Sequence, residues 1–203
     1  MQISRIFLRS ALVMLATIAA SHAQGPAPDA LVKNTVDEVL AAIKQTNERQ
    51  KLLQIAQTKV LPNFDFTRMT RLAVGRSWTQ ATPEQQQTLE KEFRDLLVRT
   101  YTNALATGTR GNVTVNLKPL GPPSASGEVT VRTEVLQSGA PPIPIDYQME
   151  KTDAGWKVYD IAVENVSLVT NYRGSFADEI RKSGIDGLIK MLAAKNKSLA
   201  DSK

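Results

Sequence analysis

Near Gly111 the hydrophobic period of this chain changes from about 3.6 residues to about 2, and around Ser167 it changes back. Upstream, Leu89, Phe93, Leu96, Leu97, Thr100, Tyr101, Ala104 and Leu105 keep one helical face apolar. Downstream, Val113, Val115 and Leu117 alternate with Thr114, Asn116 and Lys118. Val129, Val131, Thr133 and Val135 alternate with Glu128, Thr130, Arg132 and Glu134. Ile143, Ile145, Tyr147 and Met149 alternate with Pro144, Asp146, Gln148 and Glu150, and a fourth strand is expected from Trp156 to Val163 or Glu164. Alternation of this kind belongs to antiparallel strands with one face on a core and the other in water. Pro119–Gly127, Ser138–Pro142 and Asp153–Gly155 have the composition of the intervening turns. Helices before and after such a block predict an α+β domain, with helices packed on one face of a curved four-stranded sheet. That pattern is compatible with a cone-like NTF2-type arrangement elaborated by helices at both ends.

The helices carry their own punctuation. Asp29 is placed to cap a first helix with Leu31, Val32, Val36, Val39, Leu40 and Ile43 on one face. A second spans Leu52 to Leu61 and stops at Pro62, and a third spans Phe64 to Val74 and ends at Gly75. Thr82-Pro83-Glu84-Gln85 forms a capping box for the longest helix, which is expected to reach about Thr107, with Gly108 as its stop. Ser167 caps a helix to Ile180. Ser183 and Asp186 frame a further capping box ahead of Ile185, Leu188, Ile189 and Leu192, and the polar tail from Lys195 is expected to fray.

The N-terminus reads separately. Arg5 and Arg9 precede an apolar run, Ala11 to Ala20, and Ser21-His22-Ala23 puts small residues where a signal peptidase reads, so cleavage is expected before Gln24. The run is shorter than the roughly 20 residues that span a bilayer. Residues 1–23 are thus expected to be removed, leaving 24–203 as a single secreted domain.

Composition narrows the chemistry. The chain has no Cys, and its one His, His22, lies in the leader. Disulfides, thiolate or imidazole metal sites and Ser-His or Cys-His nucleophile pairs are excluded from the mature domain. No acidic cluster suggests a carboxylate metal site, and no cofactor is expected. The formal charge of +5 is spread among acids, as in Glu90-Lys91-Glu92, and aromatics make up only 5% of residues. Nucleic-acid binding therefore lacks its basic stripe and its stacking rings.

Two classes of function remain. A buried carboxylate with tyrosines can perform acid–base chemistry without histidine. Asp160 is in strand phase with Trp156 and Val158, which puts it on the inward face, with Tyr159, Tyr147 and Tyr101 as companions in an NTF2-like enzyme or small-molecule-binding site. Against this, an Asp at a strand end commonly accepts backbone or Arg hydrogen bonds. Ser167 lacks a G-x-S-x-G elbow and reads as a cap. Arg68, Arg71 and Arg76 could meet phosphate or an acidic partner, or form an ordinary solvated face. The alternative class is a carrier. The inward sheet face is mostly Val, Ile and Thr, with few large aromatics to fill a curved interior. Val131, Val135, Ile145, Tyr147 and Val163, with Leu97 and Tyr101 of the long helix, are the candidate wall of an apolar cavity.

One set of motifs favours the carrier. Leu61-Pro62-Asn63-Phe64-Asp65, Gly75-Arg76-Ser77-Trp78, Ala81-Thr82-Pro83-Glu84-Gln85 and Phe93-Arg94-Asp95-Leu96-Leu97 occur in that order. They are followed by Gly155-Trp156-Lys157-Val158-Tyr159-Asp160-Ile161 and Glu164-Asn165-Val166-Ser167-Leu168-Val169. In order and spacing across residues 28–195 they resemble the MlaC family, the toluene-tolerance family of periplasmic phospholipid-binding proteins. Asn165 departs from the Gly expected before Val-Ser, but Asn tolerates the left-handed conformation a turn there requires. The resemblance implies a non-enzymatic carrier that holds acyl chains inside with headgroups exposed. It implies shuttling of phospholipid between an outer-membrane MlaA–porin complex and an inner-membrane ABC transporter bearing the MCE-domain protein MlaD, which maintains outer-membrane asymmetry.

Overall fold

A computed structural model describes residues 25–46, 48–108 and 113–201. The expected leader and cleavage site and the expected change of period at Gly111 lie outside these residues, as do the side chains of Ala104 and Leu105. Helix α1 (Pro28–Gln45) begins one residue before Asp29, with Pro28 at a position that needs no amide hydrogen. Asp29 therefore sits inside the first turn rather than capping it. Helix α2 (Arg49–Ile55) continues into a π-helical turn (Ala56–Val60) and a 3-10 turn (Leu61–Asn63) containing Pro62. In α3 (Phe66–Val74) the Asp65 carboxylate accepts from the Arg68 amide at 2.7 Å, and the helix ends at Gly75, whose φ is 65°. A 3-10 segment (Gly75–Gln80) leads to α4 (Pro83–Gly108). There the capping box forms as the sequence predicts. The Gln85 amide donates to Thr82 Oγ1 at 3.2 Å, and the Thr82 amide donates to Gln85 Oε1 at 3.0 Å.

The sheet has five antiparallel strands, not four: β1 (Val113–Leu117), β2 (Val129–Gln137), β3 (Ile143–Thr152), β4 (Gly155–Val163) and β5 (Val166–Ser167). It is open, in the order β1-β2-β3-β4-β5. The extra strand is a two-residue hairpin return, with Val166 opposite Val163 and Ser167 opposite Ala162. Its turn residues, Glu164 and Asn165, both have positive φ (50° and 67°), as a tight primed turn demands. Ser167 ends this strand and also caps α5 (Leu168–Asp201), its Oγ accepting from the Thr170 amide at 3.0 Å.

Helix α5 breaks at Gly184 (φ 72°, ψ −176°), so the chain restarts a helix there. The expected Ser183–Asp186 box does not form in the described contacts; Asp186 instead accepts from Gln85 Nε2 of α4 at 2.7 Å. The tail does not fray at Lys195. Asn196 is buried, and its amide donates to the Glu92 carbonyl at 2.9 Å and to the Glu92 carboxylate at 2.8 Å. A polar side chain at that position reads as solvated until its partner on α4 is known.

Two apolar clusters result. In the first, α3, α4 and α5 bury Met69, Ala73, Leu89, Leu96, Leu188 and Leu192 around an aromatic centre. Phe93 meets Tyr172 and Phe176 edge-on, with both centroid distances 5.1 Å. In the second, α1 lies on the sheet, and Val32 packs with Val129, Val131, Met149 and Val158. Phe64 touches both clusters and pairs with the edge of β4 opposite Val158.

Candidate functional site

Cross-strand register defines the inward face of the sheet. Val115 faces Val135, Val135 faces Ile143, Ile145 faces Val163, and Tyr147 faces Ile161. At one end this face is packed: Val129, Val131, Met149 and Val158 are buried under α1. Toward the other end Val113, Val115, Val135, Ile143, Ile145 and Val163 are only half-buried. The same division runs along α1, where Val32 is buried while Val36, Val39, Leu40 and Ile43 are half-buried. These half-covered surfaces face each other across a cavity of about 530 Å³, closed further by Leu52, Ile55, Ala56 and Val60 of α2 and the π turn, and by Leu97, Val98 and Tyr101 of α4.

Among the described residues the lining contains no charged side chain. Its polar members are Thr35, Asn63, Tyr101, Thr102, Gln137 and Tyr147. Several of these are already engaged: Asn63 Nδ2 donates to Thr35 Oγ1 at 3.0 Å and to the Lys59 carbonyl at 3.0 Å. Burial pushes the Tyr147 phenol above its ordinary value, and burial does the same to Tyr101, so both are neutral hydroxyls at physiological pH. Tyr101 is 40% exposed, so the cavity reaches the surface beside it. The volume lies within the roughly 300–1,000 Å³ of small-molecule sites. Its size and apolar lining are those of a ligand pocket rather than of a packed core.

Of the seven residues expected from strand alternation and helix spacing, Val135, Ile145, Tyr147, Val163, Leu97 and Tyr101 line this cavity. Val131 does not. It is on the correct face but 1% exposed, packed within the second cluster together with Val32 of α1. The contributions of α1, α2 and the π turn were not among the expected wall residues. Their apolar stripe was visible as helical spacing, but a stripe reads identically whether it meets a core or a cavity.

Asp160 is not on the inward face. A β-bulge shifts the register so that Gln148 pairs with Asp160 while Met149 pairs with Val158, leaving Tyr159 as the extra residue. The bulge reverses the phase assumed from Trp156 and Val158. Asp160 instead accepts from Ser167 Oγ at 2.5 Å and from the Val169 amide at 3.2 Å, holding the N-terminus of α5. Tyr159 also lies away from the cavity, where its ring stacks under the Arg68 guanidinium at 3.6 Å. Arg68 is neither a solvated nor a free phosphate-binding residue: it forms ion pairs with Glu128 and Glu150. Arg71 and Arg76 are exposed. Of the proposed enzyme group, only Tyr101 and Tyr147 reach the cavity, without a carboxylate. Among the described residues no cluster of acidic groups could hold a metal, and no helix is long and apolar enough to cross a membrane.

Comparison with known proteins places this geometry. The family model described as MlaC protein matches residues 33–194. The toluene tolerance protein ttg2D of Pseudomonas putida is 26% identical over 89% of this chain and 86% of its own length. The intermembrane phospholipid transport system binding protein MlaC of Haemophilus influenzae is 23% identical, over 80% of this chain and 78% of its own. A solved structure of a phospholipid-binding protein from Ralstonia solanacearum, in complex with a phospholipid, is 42% identical with a TM-score of 0.77, covering 85% of this chain and 98% of that one. With the family model spanning most of the described fold, the chain belongs to the MlaC family.

Proposed function

We propose that this protein is a periplasmic phospholipid carrier, and the observation that carries the reading is the uncharged, half-open cavity between α1, α4 and the sheet. Burying an acyl chain is worth about 0.8 kcal/mol per methylene, so roughly 16 carbons contribute on the order of 12 kcal/mol. Such a site holds cargo without specific polar contacts. The neutral lining favours chains over headgroups, whose charge is expensive to bury unpaired. Family membership and the phospholipid in the Ralstonia structure support the same ligand.

In this reading the sheet and its helices form an NTF2-type cone around the chains. The protein carries lipid between the outer-membrane MlaA–porin complex and the inner-membrane transporter with its MCE-domain protein MlaD, sustaining outer-membrane lipid asymmetry. It needs no catalytic group. The test is mass spectrometry of an organic extract of folded protein purified from cells. Diacyl phospholipid with little headgroup preference is expected. Folded protein that is reproducibly lipid-free and takes up none from vesicles would refute the carrier, and a stoichiometric metabolite would favour an enzyme.

A further inference from the structure

The cavity wall formed by α2 and the π turn is one helix thick. Leu52, Ile55 and Val60 line the cavity, while Leu53 and Gln57 on the opposite side line a surface cleft against α4. Little in the local sequence holds this segment in place. It is bracketed by extended backbone at Thr46 and Glu48 and by the 3-10 turn that contains Pro62. Helix α2 has seven residues, no side-chain cap and no acid in its first turn. So short a helix is marginal without tertiary contacts. Arg49, at its first position, opposes the helix dipole rather than complementing it. The pair from Lys59 of the π turn to Glu38 of α1, at 3.3 Å, has both side chains at least half exposed and contributes little.

Arg49 is instead a tie to a distant element. Its Nη2 donates to the Leu199 carbonyl at 2.5 Å and its Nη1 to the Ala200 carbonyl at 3.4 Å, in the last turn of α5. The last carbonyls of a helix have no partner within it, and the dipole makes that end negative, so a guanidinium suits them. The anchor is itself fixed: Asn196 is held to Glu92 of α4, and Leu199 packs against the helical bundle. Arg49 does not line the cavity. We propose that Arg49 is a positioning residue, the clasp of a movable wall. While its guanidinium holds the end of α5, α2 and the π turn stay shut on the cavity. When it lets go, they swing out between the breaks at Thr46 and Pro62, and acyl chains pass. This rests on the carrier reading and adds to it the element that sets the exchange rate. Because the clasp touches no cargo, it governs how fast lipid enters and leaves, not how tightly lipid is held.

The experiment times exchange of pyrene-labelled phosphatidylglycerol with vesicles, in both directions, for wild type, Arg49→Gln, Arg49→Lys and a chain ending at Ser198. Amide hydrogen exchange of residues 49–60 is followed in the same proteins stripped of lipid. Arg49→Gln should speed uptake and release together by roughly tenfold, as loss of a charge-assisted hydrogen bond implies, with the equilibrium distribution between protein and vesicles unchanged. Arg49→Lys should recover part of the slow exchange. Ending the chain at Ser198 removes both acceptors, so it should act as Arg49→Gln does, and the two changes combined should do no more than either alone. Unchanged rates in folded Arg49→Gln overturn the clasp, and so do additive effects of the two changes. Faster release with wild-type uptake also overturns it, because the arginine would then act on the bound lipid. A wild type that takes up no lipid sinks the carrier reading. Hydrogen exchange then still judges the clasp: residues 49–60 should exchange faster in Arg49→Gln, and equal protection refutes it.

Discussion

Phe93 and Ile145 are both apolar and both directed inward, yet they do opposite work. Phe93 is wholly buried on α4, with the rings of Tyr172 and Phe176 against its own. Ile145 is half-buried on β3 and faces open volume. The difference extends to their regions. The α3–α4–α5 bundle is filled by aromatic, leucine and methionine side chains, while the sheet and α1 meet closely only at the Val32–Val131 end and part toward Val135 and Ile143. One region holds the fold together and the other holds space open, and a wall of Leu97, Phe66 and Met69 belongs to both.

The sharpest way to break this contrast is Phe93→Ala. It should cost about 3–5 kcal/mol by denaturant unfolding, because the surrounding rings leave no way for the site to collapse. A loss below about 1 kcal/mol would show that the bundle is not the packed half. A paired substitution comes next. Val131→Trp should destabilise by about 1–3 kcal/mol or more through overpacking under α1. Ile145→Trp should keep the melting temperature near wild type while emptying the protein of lipid, measured by extraction and mass spectrometry. Similar melting temperatures for the two variants would erase the distinction between packed and open ends of the sheet.

Asp160→Asn should cost roughly 1–2 kcal/mol, through weaker acceptance from Ser167 and the Val169 amide, and leave lipid content unchanged. A turnover activity lost in the still-folded variant would restore the enzyme. The smallest effect concerns acid. The hydrogen bond from Arg68 holds the Glu128 carboxyl below its ordinary value of 4.5. The folded protein thus gives up this proton more readily than the unfolded chain, so the contribution is present above pH 4.5 and fades as pH falls through the folded value. Arg68→Gln should flatten the acid side of the stability–pH curve; an unchanged slope would show that the ion pair is fully screened.

Much of the bundle was legible in the sequence because its signals are local. The Thr82–Gln85 box, the Ser167 cap and the Gly75 stop each act within a few residues. Most of the cavity's sheet wall was legible too, since alternation fixes a face. What escaped depends on partners distant in sequence: α1 covering Val131, Glu92 holding Asn196, and a strand of two residues hidden inside a helix cap. The reading of Asp160 failed differently, because one extra residue in β4 breaks the periodicity from which its direction was inferred.

That extra residue has a consequence for the electrical character of the interior. Without the slip at Tyr159, β4 would run in unbroken phase from Val158, and Asp160 would face the cavity. A carboxylate there would need either a proton or a counter-ion, and each would admit water to the lining. The insertion turns Asp160 to the end of α5 and leaves Ile161 and Val163 facing in. One residue thus keeps a carboxylate off the described wall, which stays an electrical insulator.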